Sequence, residues 1–205
     1  MSHYFVNDES LGHDEHVIKV KINNSNFNFL VDNGVFSKSK LDYGTRLLLE
    51  TIDVSKIKGN VLDFGCGYGP IGIYITSLTD SNVDMVDVNE RCVSLSIKNL
   101  KLNGLSANVF VSDIYSNVDK KYDFIITNPP IRVGKKILYS ILFDAKKYLV
   151  SGGELWLVVH KDQGAKSLVK DLSNEYKVEV KNKDKGFYII CAINNWQLDW
   201  VLIKL

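Results

Sequence analysis

The sequence predicts an α/β fold in which a seven-stranded, mostly parallel sheet has an antiparallel last strand and is preceded by a β-hairpin. From residue 60 onward, short apolar runs alternate with segments of helical periodicity, the pattern of a parallel sheet covered by helices on both faces. The last two predicted strands are separated by only about six residues, too few for a parallel crossover, so they pair antiparallel. A glycine-rich turn joins the first strand of this region to a helix, as in open sheets that bind ligands at the carboxyl ends of their strands.

The elements before the sheet follow from the periodicity of apolar side chains. Residues 17–22 and 27–31 alternate apolar and polar side chains around the polar run 23–26, which predicts a hairpin. Residues 32–40 form a loop. In residues 41–52 apolar side chains recur at helical spacing, which predicts a helix.

The elements of the sheet region are predicted in the same way. Short apolar runs predict strands at residues 61–64, 83–88, 109–112, 124–127, 154–160, 176–180 and 187–193. Helical spacing predicts helices at residues 70–78, 89–104, 137–149 and 165–172. Asn89 is a suitable N-cap and Gly104 a suitable C-cap of the second helix, and Gly152-Gly153 turns the chain into the following strand.

Length and composition indicate one globular domain. The 205 residues are sufficient for one sizeable core, and 45% hydrophobic with 24% charged residues is ordinary for such a domain. We therefore divide the chain into a polar segment (residues 1–16), a single domain (17–194) and a tail (195–205). Within the domain, residues 17–58 form the hairpin and a helix, and residues 59–194 form the ligand-binding core.

Composition also argues against several classes of protein. No apolar run approaches the roughly 20 residues of a membrane span, and the N-terminus has no apolar signal sequence, so we expect a cytoplasmic protein without a membrane partner. The three cysteines lie far apart and only four histidines are present, so we expect neither a disulfide framework nor a metal site. Residues 1–131 have a net charge of −4 and residues 132–205 of +5, which favours phosphate binding by the C-terminal part.

The glycine-rich turn is the first candidate binding site. Gly65, Gly67 and Gly69 follow a strand and precede a helix, so the backbone turns tightly and a ligand can approach where a Cβ would collide. Asp63, at the strand end, would repel a pyrophosphate but suits an ammonium or a sulfonium group. On this motif alone, a tight turn without a ligand is the alternative.

Two further acids stand at the ends of the next strands. Asp87 comes 24 residues after Asp63, where such sheets place an acid that binds both hydroxyls of an adenosine ribose. Asp113 follows the third strand, where it would meet the adenine amino group. For Asp87, the alternative is a solvated side chain in a loop.

The run Asn128-Pro129-Pro130 follows directly from a buried strand and predicts the chemistry. The two prolines fix φ and remove N–H donors, so the Asn128 side-chain oxygen and the Pro129 carbonyl oxygen face the same point. An exocyclic amine of a nucleobase is a poor nucleophile, because its lone pair is delocalised into the ring. Two acceptors that bind its N–H groups favour the pyramidal geometry in which the lone pair points at an electrophilic methyl group.

These residues carry a resemblance to a known family. The chain resembles the class I S-adenosylmethionine-dependent methyltransferases, which have a Rossmann-like fold, and among them the small-subunit ribosomal RNA guanine-N2 methyltransferases (the RsmC-like group). The resemblance spans nearly all of residues 15–193, including the runs 32–37, 41–45, 161–168 and 185–188. Its most specific parts are the run 128–135, Asn-Pro-Pro-Ile-Arg-Val-Gly-Lys, and the run 163–168, Gln-Gly-Ala-Lys-Ser-Leu.

The resemblance implies S-adenosylmethionine as the cofactor and guanine N2 of 16S ribosomal RNA, free or in the small subunit, as the methyl acceptor. It implies Asn128 and Pro129 as the catalytic residues. The residues expected to bind the cofactor are Thr45, Asp63, Gly65, Cys66, Gly67, Gly69, Asp87, Val88, Asp113 and Asn128. The residues expected to contact the substrate are Phe36, Ser37, Pro130, Ile131, Arg132 and Lys135. Arg132, Lys135 and Lys136 are candidates for binding RNA phosphates because they follow the Asn-Pro-Pro run, with a solvated helix start as the alternative. We expect a monomer or a weak homodimer.

Two departures from the family pattern leave alternatives. Some members have two tandem methyltransferase-like domains, whereas this sequence has one. Ile131 stands where adenine-N6 and protein-glutamine methyltransferases usually carry Tyr or Phe, so stacking on the target would fall to Phe36 or Phe187, unless both pack in the core. Those two activities are the alternatives within the enzyme class. A scaffold that binds the cofactor or RNA without turnover is the alternative outside it.

Overall fold

The computed structural model describes residues 12–194, so the predictions for residues 1–11 and for the tail 195–205 lie outside the described residues. The first elements of the described part are the hairpin strands β1 (His16–Ile22) and β2 (Ser25–Val31), followed by helix α1 (Tyr43–Thr51) and a 3₁₀ turn (Val54–Lys56). The hairpin loop has two residues instead of the four predicted, because Ile22 already pairs with Ser25. Asn23 makes this tight turn possible with a φ of 49°, a conformation that Asn tolerates.

The remaining elements form the predicted sheet and its helices. The sheet has the order β5-β4-β3-β6-β7-β9-β8, in which β3 to β7 are parallel and β9 is antiparallel to both of its neighbours. This arrangement confirms the predicted seven-stranded, mostly parallel sheet with an antiparallel last strand. The strands are β3 (Asn60–Phe64), β4 (Asn82–Asp87), β5 (Asn108–Val111), β6 (Tyr122–Thr127), β7 (Leu149–His160), β8 (Lys177–Asp184) and β9 (Phe187–Ile193). The helices are α2 (Pro70–Leu78), α3 (Glu90–Leu102), α4 (Lys135–Tyr148) and α5 (Ala165–Leu172), with 3₁₀ turns at Ile131–Val133 and Lys161–Gln163.

Two predicted boundaries in the second half of the sheet were wrong. β7 begins at Leu149, directly after α4, and Gly152 lies inside the strand with a φ of 77°, near the point where the register with β6 shifts. β8 is longer than predicted, so only Lys185 and Gly186 connect it to β9. The short connection agrees with the predicted antiparallel pairing, since a two-residue turn is typical of a hairpin.

The ends of α3 follow local signals. Asn89 is the N-cap, as predicted, and its Oδ1 accepts a hydrogen bond from Arg91 N at 2.9 Å. The predicted C-cap was wrong by one residue, because Asn103 is the C-cap. Gly104 follows it with a φ of 68°, which is the usual role of glycine just beyond a helix.

Helix α3 also holds the hairpin against the sheet. Asn99 Oδ1 accepts from Leu30 N at 2.6 Å, and Asn99 Nδ2 donates to Leu30 O at 2.8 Å. One turn later, Asn103 makes the same two bonds to the backbone of Asn28. The two amides therefore satisfy backbone groups of β2 that do not pair with β1. Asn99 Nδ2 also donates to Tyr68 O at 2.8 Å, which joins the hairpin to the glycine-rich turn.

Apolar side chains form a core on each face of the sheet. One core contains side chains of the hairpin, α1, α2 and α3, and the other contains side chains of α4 and α5. The three cysteines are buried and free, as predicted. Among residues 12–194, no helix combines the length and the apolar character that crossing a membrane requires.

Candidate active site

The predicted polar residues meet where the carboxyl ends of the parallel strands lie, a side of the sheet that we call the carboxyl edge. β3 lies between β4 and β6, and all three run parallel, so their carboxyl ends lie side by side. The glycine-rich turn follows β3, Asp87 ends β4, and Asn128 follows β6 directly. The edge is therefore built from groups that are far apart in the sequence.

The three glycines of the turn have two different structural roles. Gly65 and Gly67 have φ values of 71° and 58°, and a Cβ added to either residue would meet no atom within 4 Å. A Cβ added to Gly69 would come within 2.9 Å of Met85 and 3.0 Å of Ser96. Gly69 thus allows close packing of α2 on β4, whereas Gly65 and Gly67 border open space that a ligand can use.

Asp63 is fully buried at the end of β3. Its Oδ2 accepts from Gly72 N at 2.8 Å, in the first turn of α2, and its Oδ1 has no hydrogen-bond partner among the described residues. Burial, together with the charge of Asp87, raises the pKa of Asp63 to about 7. Gly72 was not anticipated from the sequence. A Cβ there would come within 2.6 Å of Met85, so glycine is needed for α2 to approach β4.

Asp87 connects the ends of β3 and β4. Its Oδ2 accepts from Gly67 N and its Oδ1 from Asn89 N, both at 2.9 Å. Burial raises the pKa of this carboxyl group, and the backbone N–H bonds oppose the shift. Each oxygen keeps a lone pair for a further donor, such as a ribose hydroxyl. Val88 follows with 38% of its surface exposed.

Two other residues predicted to bind the cofactor differ in exposure. Asp113 is exposed and lies just beyond β5, beside buried Ser112, whose N–H donates to Asp87 O at 3.0 Å. The Cys66 side chain is buried, with Sγ 3.5 Å from Ser96 Oγ, and burial raises the pKa of the thiol. Only the backbone of Cys66 is therefore positioned to border the turn.

Asn128 is held by the N-terminus of α1. Its Nδ2 donates to Asp42 Oδ2 at 3.1 Å and to Thr45 Oγ1 at 2.9 Å. Because a carboxylate accepts hydrogen bonds but does not donate them, the end of the amide that faces Asp42 is the nitrogen. The amide group is planar, so its oxygen, Oδ1, is directed away from Asp42. Pro129 is buried, which fixes the corner. Asp42 had no predicted role. Its position before a helix indicates an N-cap, but nothing local indicates a contact with a residue 86 positions later.

The aromatic side chains proposed for stacking differ in their surroundings. Phe36 is 53% exposed, on a loop that Arg91 ties to α3 through a hydrogen bond to Asn33 O at 2.9 Å. Ser37, on the same loop, donates through its hydroxyl to Lys40 O at 2.6 Å. Phe187 packs instead against Tyr43 and His160, at ring-centre distances of 5.6 and 4.8 Å.

The residues after Pro129 are only partly available to a substrate. Pro130 is half-buried, and Ile131 packs against the apolar core below α4 and α5. The backbone of Arg132 lies in the 3₁₀ turn, and its side chain is outside what the structure describes. Lys135 and Lys136 are exposed at the start of α4, with Lys135 Nζ 4.7 Å from the centre of the Tyr139 ring.

A second group of lysines, which we call the lysine rim, lies at the same edge. It comprises Lys161 and Lys166 after β7, and Lys183 and Lys185 at the tip of the β8–β9 hairpin. Because His160 pairs with Phe187, the hairpin tip lies beside the end of β7. Lys185 Nζ is 4.5 Å from the centre of the Tyr43 ring, next to Asp42 in α1. A pocket of about 490 Å³ opens on this rim, lined by Lys161, Asp162, Gly164, Lys166, Ser167 and Tyr188.

One cluster of potential metal ligands occurs among the described residues, at His13, Glu15 and Asp32. His13 Nδ1 is 2.6 Å from Asp32 Oδ2, and Arg91 Nη1 is 3.5 Å from the same oxygen. Lys98 pairs with Glu15. Both carboxylates therefore already have cationic partners, and the cluster gives no reason to assign a metal.

Comparison with known proteins decides the family. The model of the methyltransferase small domain matches residues 26–191, which include the glycine-rich turn, Asp87 and Asn128. The chain belongs to the methyltransferase small-domain family. This membership confirms the predicted class, an S-adenosylmethionine-dependent methyltransferase.

Two relatives of this methyltransferase differ in length. It is 42% identical to the uncharacterized protein YbxB of Bacillus subtilis over 195 residues, which cover 93% of this chain and 97% of that protein. It is 40% identical to ribosomal RNA small subunit methyltransferase C of Haemophilus influenzae over 150 residues, which cover 71% of this chain but 45% of that enzyme. The chain thus spans about half the length of the ribosomal RNA methyltransferases that it matches.

A solved structure extends the likeness to three dimensions. The methyltransferase is similar to the Thermus thermophilus 16S rRNA N2 G1207 methyltransferase (RsmC) in complex with AdoMet and guanosine. The TM-score is 0.79 with 25% sequence identity, over 91% of this chain and 51% of that one. This likeness confirms the Rossmann-like class I methyltransferase fold.

The groups at the carboxyl edge fit S-adenosylmethionine. The cofactor has an amino-acid end with an ammonium group, a sulfonium and an adenosine. Asp63 supplies a buried carboxyl group with one oxygen that has no partner among the described residues, and Gly65 and Gly67 leave space. Asp87 has lone pairs for the ribose hydroxyls.

Proposed function

We propose that this methyltransferase transfers a methyl group from S-adenosylmethionine to the exocyclic amine of guanine, N2, in 16S ribosomal RNA. The observation that carries the proposal is the Asn128 amide, whose nitrogen is bound by Asp42 and Thr45 so that its oxygen is directed away from them. A donor-rich target, such as an amino group on a nucleobase, suits an acceptor at this position.

In this proposal the protein positions the reacting groups and stabilises developing charge. The bound cofactor supplies an electrophilic methyl group on a positively charged sulfur. Asp87 binds the ribose, Asp113 lies near the adenine, and Asp63 provides a negative charge for the cationic amino-acid end. Asn128 Oδ1 and the Pro129 carbonyl accept hydrogen bonds from the target amine, which keep its lone pair free and favour the positive charge that forms on nitrogen.

The RNA and guanine parts of the proposal are supported by the relatives. The Haemophilus influenzae protein is named for methylation of the small-subunit ribosomal RNA, and the Thermus thermophilus structure contains guanosine. The lysine rim is consistent with a phosphate backbone, since contacts of lysine to phosphates give affinity without reading sequence. Phe36 is our candidate for stacking on the target base, because Phe187 is packed between Tyr43 and His160.

The acceptor is tested by offering several substrates in parallel. The purified protein is incubated with radiolabelled S-adenosylmethionine and with undermodified small ribosomal subunits, free 16S RNA, DNA or a protein release factor. We expect label in the RNA, and N2-methylguanosine after nuclease digestion and mass spectrometry. Detection of N6-methyladenosine, or of label in protein alone, would show that the acceptor is adenine or a protein glutamine and not guanine. An absence of label from every substrate would favour a scaffold without turnover.

A further inference from the structure

The side chain of Asn128 has both of its N–H groups bound within the protein. One N–H donates to Asp42 Oδ2 at 3.1 Å and the other to Thr45 Oγ1 at 2.9 Å. We propose that Asp42 and Thr45 are positioning residues that hold the Asn128 amide in its one productive orientation. The inference rests on the proposed function, because it concerns the same asparagine, and it adds two residues to which that function gave no such role.

Asp42 is itself held firmly enough for this purpose. Its Oδ2 also accepts from Thr45 N at 2.9 Å, which makes Asp42 the N-cap of α1. Thr45 Oγ1 lies 3.4 Å from the same oxygen, and Thr45 is buried. One carboxylate oxygen therefore receives donors from the helix and from Asn128, so the position of the amide is tied to the start of α1.

A second layer of contacts supports the start of α1 from outside. The Tyr43 hydroxyl donates to Asp184, and the Tyr43 ring packs on Phe187 with ring centres 5.6 Å apart. Gly44 permits this packing, because a Cβ there would come within 3.0 Å of the Phe187 ring. The β8–β9 hairpin thus packs against the start of α1 and stabilises the residues that orient Asn128.

The orientation matters because an amide has opposite polarity at its two ends. A rotated Asn128 would present N–H donors to the N–H groups of the target amine, which repel each other. The charge of Asp42 favours the productive orientation. It also polarises the amide, which places more negative charge on Oδ1 and makes that oxygen a better acceptor for an amine that becomes positive.

The test uses variants that remove the contacts but keep the fold. Asp42→Ser keeps an N-cap but is too short to reach Asn128, and Thr45→Val removes the hydroxyl at nearly constant volume. Thr45→Ser is the conservative variant that restores the hydroxyl. Asp53→Ser is the matched control, because Asp53 caps the 3₁₀ turn at Val54–Lys56 and is half-exposed at the far end of α1.

We expect Asp42→Ser and Thr45→Val to lower kcat by about 10- to 100-fold, since small misplacements of a catalytic group can cost about 100-fold. The KM for RNA should change by less than about twofold in both variants, and in Asp42→Ser the cofactor Kd should do the same. A general loss of structure would not give this split between kcat and binding. Thr45→Ser should recover most of the lost rate, and Asp53→Ser should match the wild type. The double variant Asp42→Ser with Asn128→Ala should be no slower than Asn128→Ala alone, because the two residues act as one unit. Additive losses, or an unchanged kcat in Asp42→Ser, would overturn the positioning role.

A second measurement separates this inference from the proposed function. The side-chain amide signals of Asn128 are assigned in a nitrogen-15 NMR spectrum by their absence in Asn128→Ala. We expect them to shift and to exchange faster with solvent in Asp42→Ser and in Thr45→Val, but not in Asp53→Ser. Unchanged signals overturn the positioning role even if the wild type methylates RNA. Shifted signals support it even if the acceptor is a different amine.

Discussion

Two acidic side chains at the carboxyl edge differ in how many hydrogen bonds their oxygens accept from the protein. Asp87 accepts from the backbone N–H groups of Gly67 and Asn89, one on each oxygen, and a backbone hydrogen bond from Val88 also lowers its pKa. Asp63 receives one, from Gly72, and its other oxygen has no partner among residues 12–194. Because Asp63 is also the more deeply buried of the two, a cation that binds nearby should change its ionisation most strongly.

This difference predicts a pH dependence of cofactor binding. The pKa of Asp63 is raised to about 7, so the free protein carries a neutral carboxyl group at pH 6 and mostly a carboxylate at pH 7.5. A cationic cofactor favours the carboxylate, and its affinity should fall as the pH falls through 7, by roughly eightfold between pH 7.5 and pH 6 if only the ionised form binds. Isothermal titration calorimetry at the two pH values measures this change.

Asp63→Asn provides the control for this prediction. The Asn side chain can still accept from Gly72 N but does not titrate, so the affinity of this variant should be lower and nearly independent of pH over the same range. If the variant keeps the wild-type pH dependence, another group such as Asp87 is responsible, and the role given to Asp63 is wrong.

At the scale of elements, α3 joins the hairpin to the glycine-rich turn through two asparagines that make similar contacts in different surroundings. Asn99 is fully buried and binds the backbone of Leu30 and Tyr68. Asn103 is half-buried and binds the backbone of Asn28 through hydrogen bonds that are exposed to solvent. A comparison of the two asparagines separates two contributions to the free energy of unfolding: the cost of leaving buried polar groups unpaired and the loss of the hydrogen bonds themselves.

We predict that Asn99→Ala lowers the free energy of unfolding by about 2–4 kcal/mol, because it leaves buried N–H and C=O groups without partners. Asn103→Ala should cost less than about 1 kcal/mol, since water can replace the lost bonds at an exposed site. Urea unfolding followed by circular dichroism measures both values. Equal losses for the two variants would show that burial does not set the strength of this connection.

The elements also show what the sequence could and could not predict. The alternation of apolar runs predicted all seven strands of the sheet, and Asn89 predicted the start of α3, because these signals are local. The start of β7 at Leu149 was missed, because it depends on pairing with Tyr122 across the sheet and on a glycine inside the strand. The contact of Asp42 with Asn128 was missed for the same reason, as it joins two loops that only the fold brings together.

In the whole molecule, exposed lysines lie in two groups, one at each end of the strands of the sheet. The lysine rim lies at the carboxyl edge, beside α1 and Asn128. Other exposed lysines lie at the opposite edge, where β3 and β8 begin and α3 ends, including Lys58, Lys177 and Lys101. An RNA bound at the proposed active site would contact the first group and not the second.

We predict that changing Lys161, Lys166 and Lys185 together to Ala weakens RNA binding and reduces its dependence on salt. Each lost phosphate contact should reduce the slope of log K against log salt by roughly 0.7 for single-stranded RNA. The triple change of Lys58, Lys101 and Lys177 to Ala is the matched control, with equal loss of charge and an unchanged slope. Binding is measured by fluorescence anisotropy over a range of salt concentrations. If both triple variants lower the slope equally, the carboxyl edge has no special role in RNA binding.

We propose that Asn128 activates an exocyclic amine by accepting hydrogen bonds from its N–H groups. The most direct test is the rate of methyl transfer to undermodified small subunits by Asn128→Ala, with Asn82→Ala at the opposite end of the sheet as the control. We expect a loss of roughly 100-fold or more in Asn128→Ala, comparable to the loss of one preorganised polar group, with cofactor affinity nearly unchanged. A wild-type rate in Asn128→Ala would show that this amide does not activate the amine.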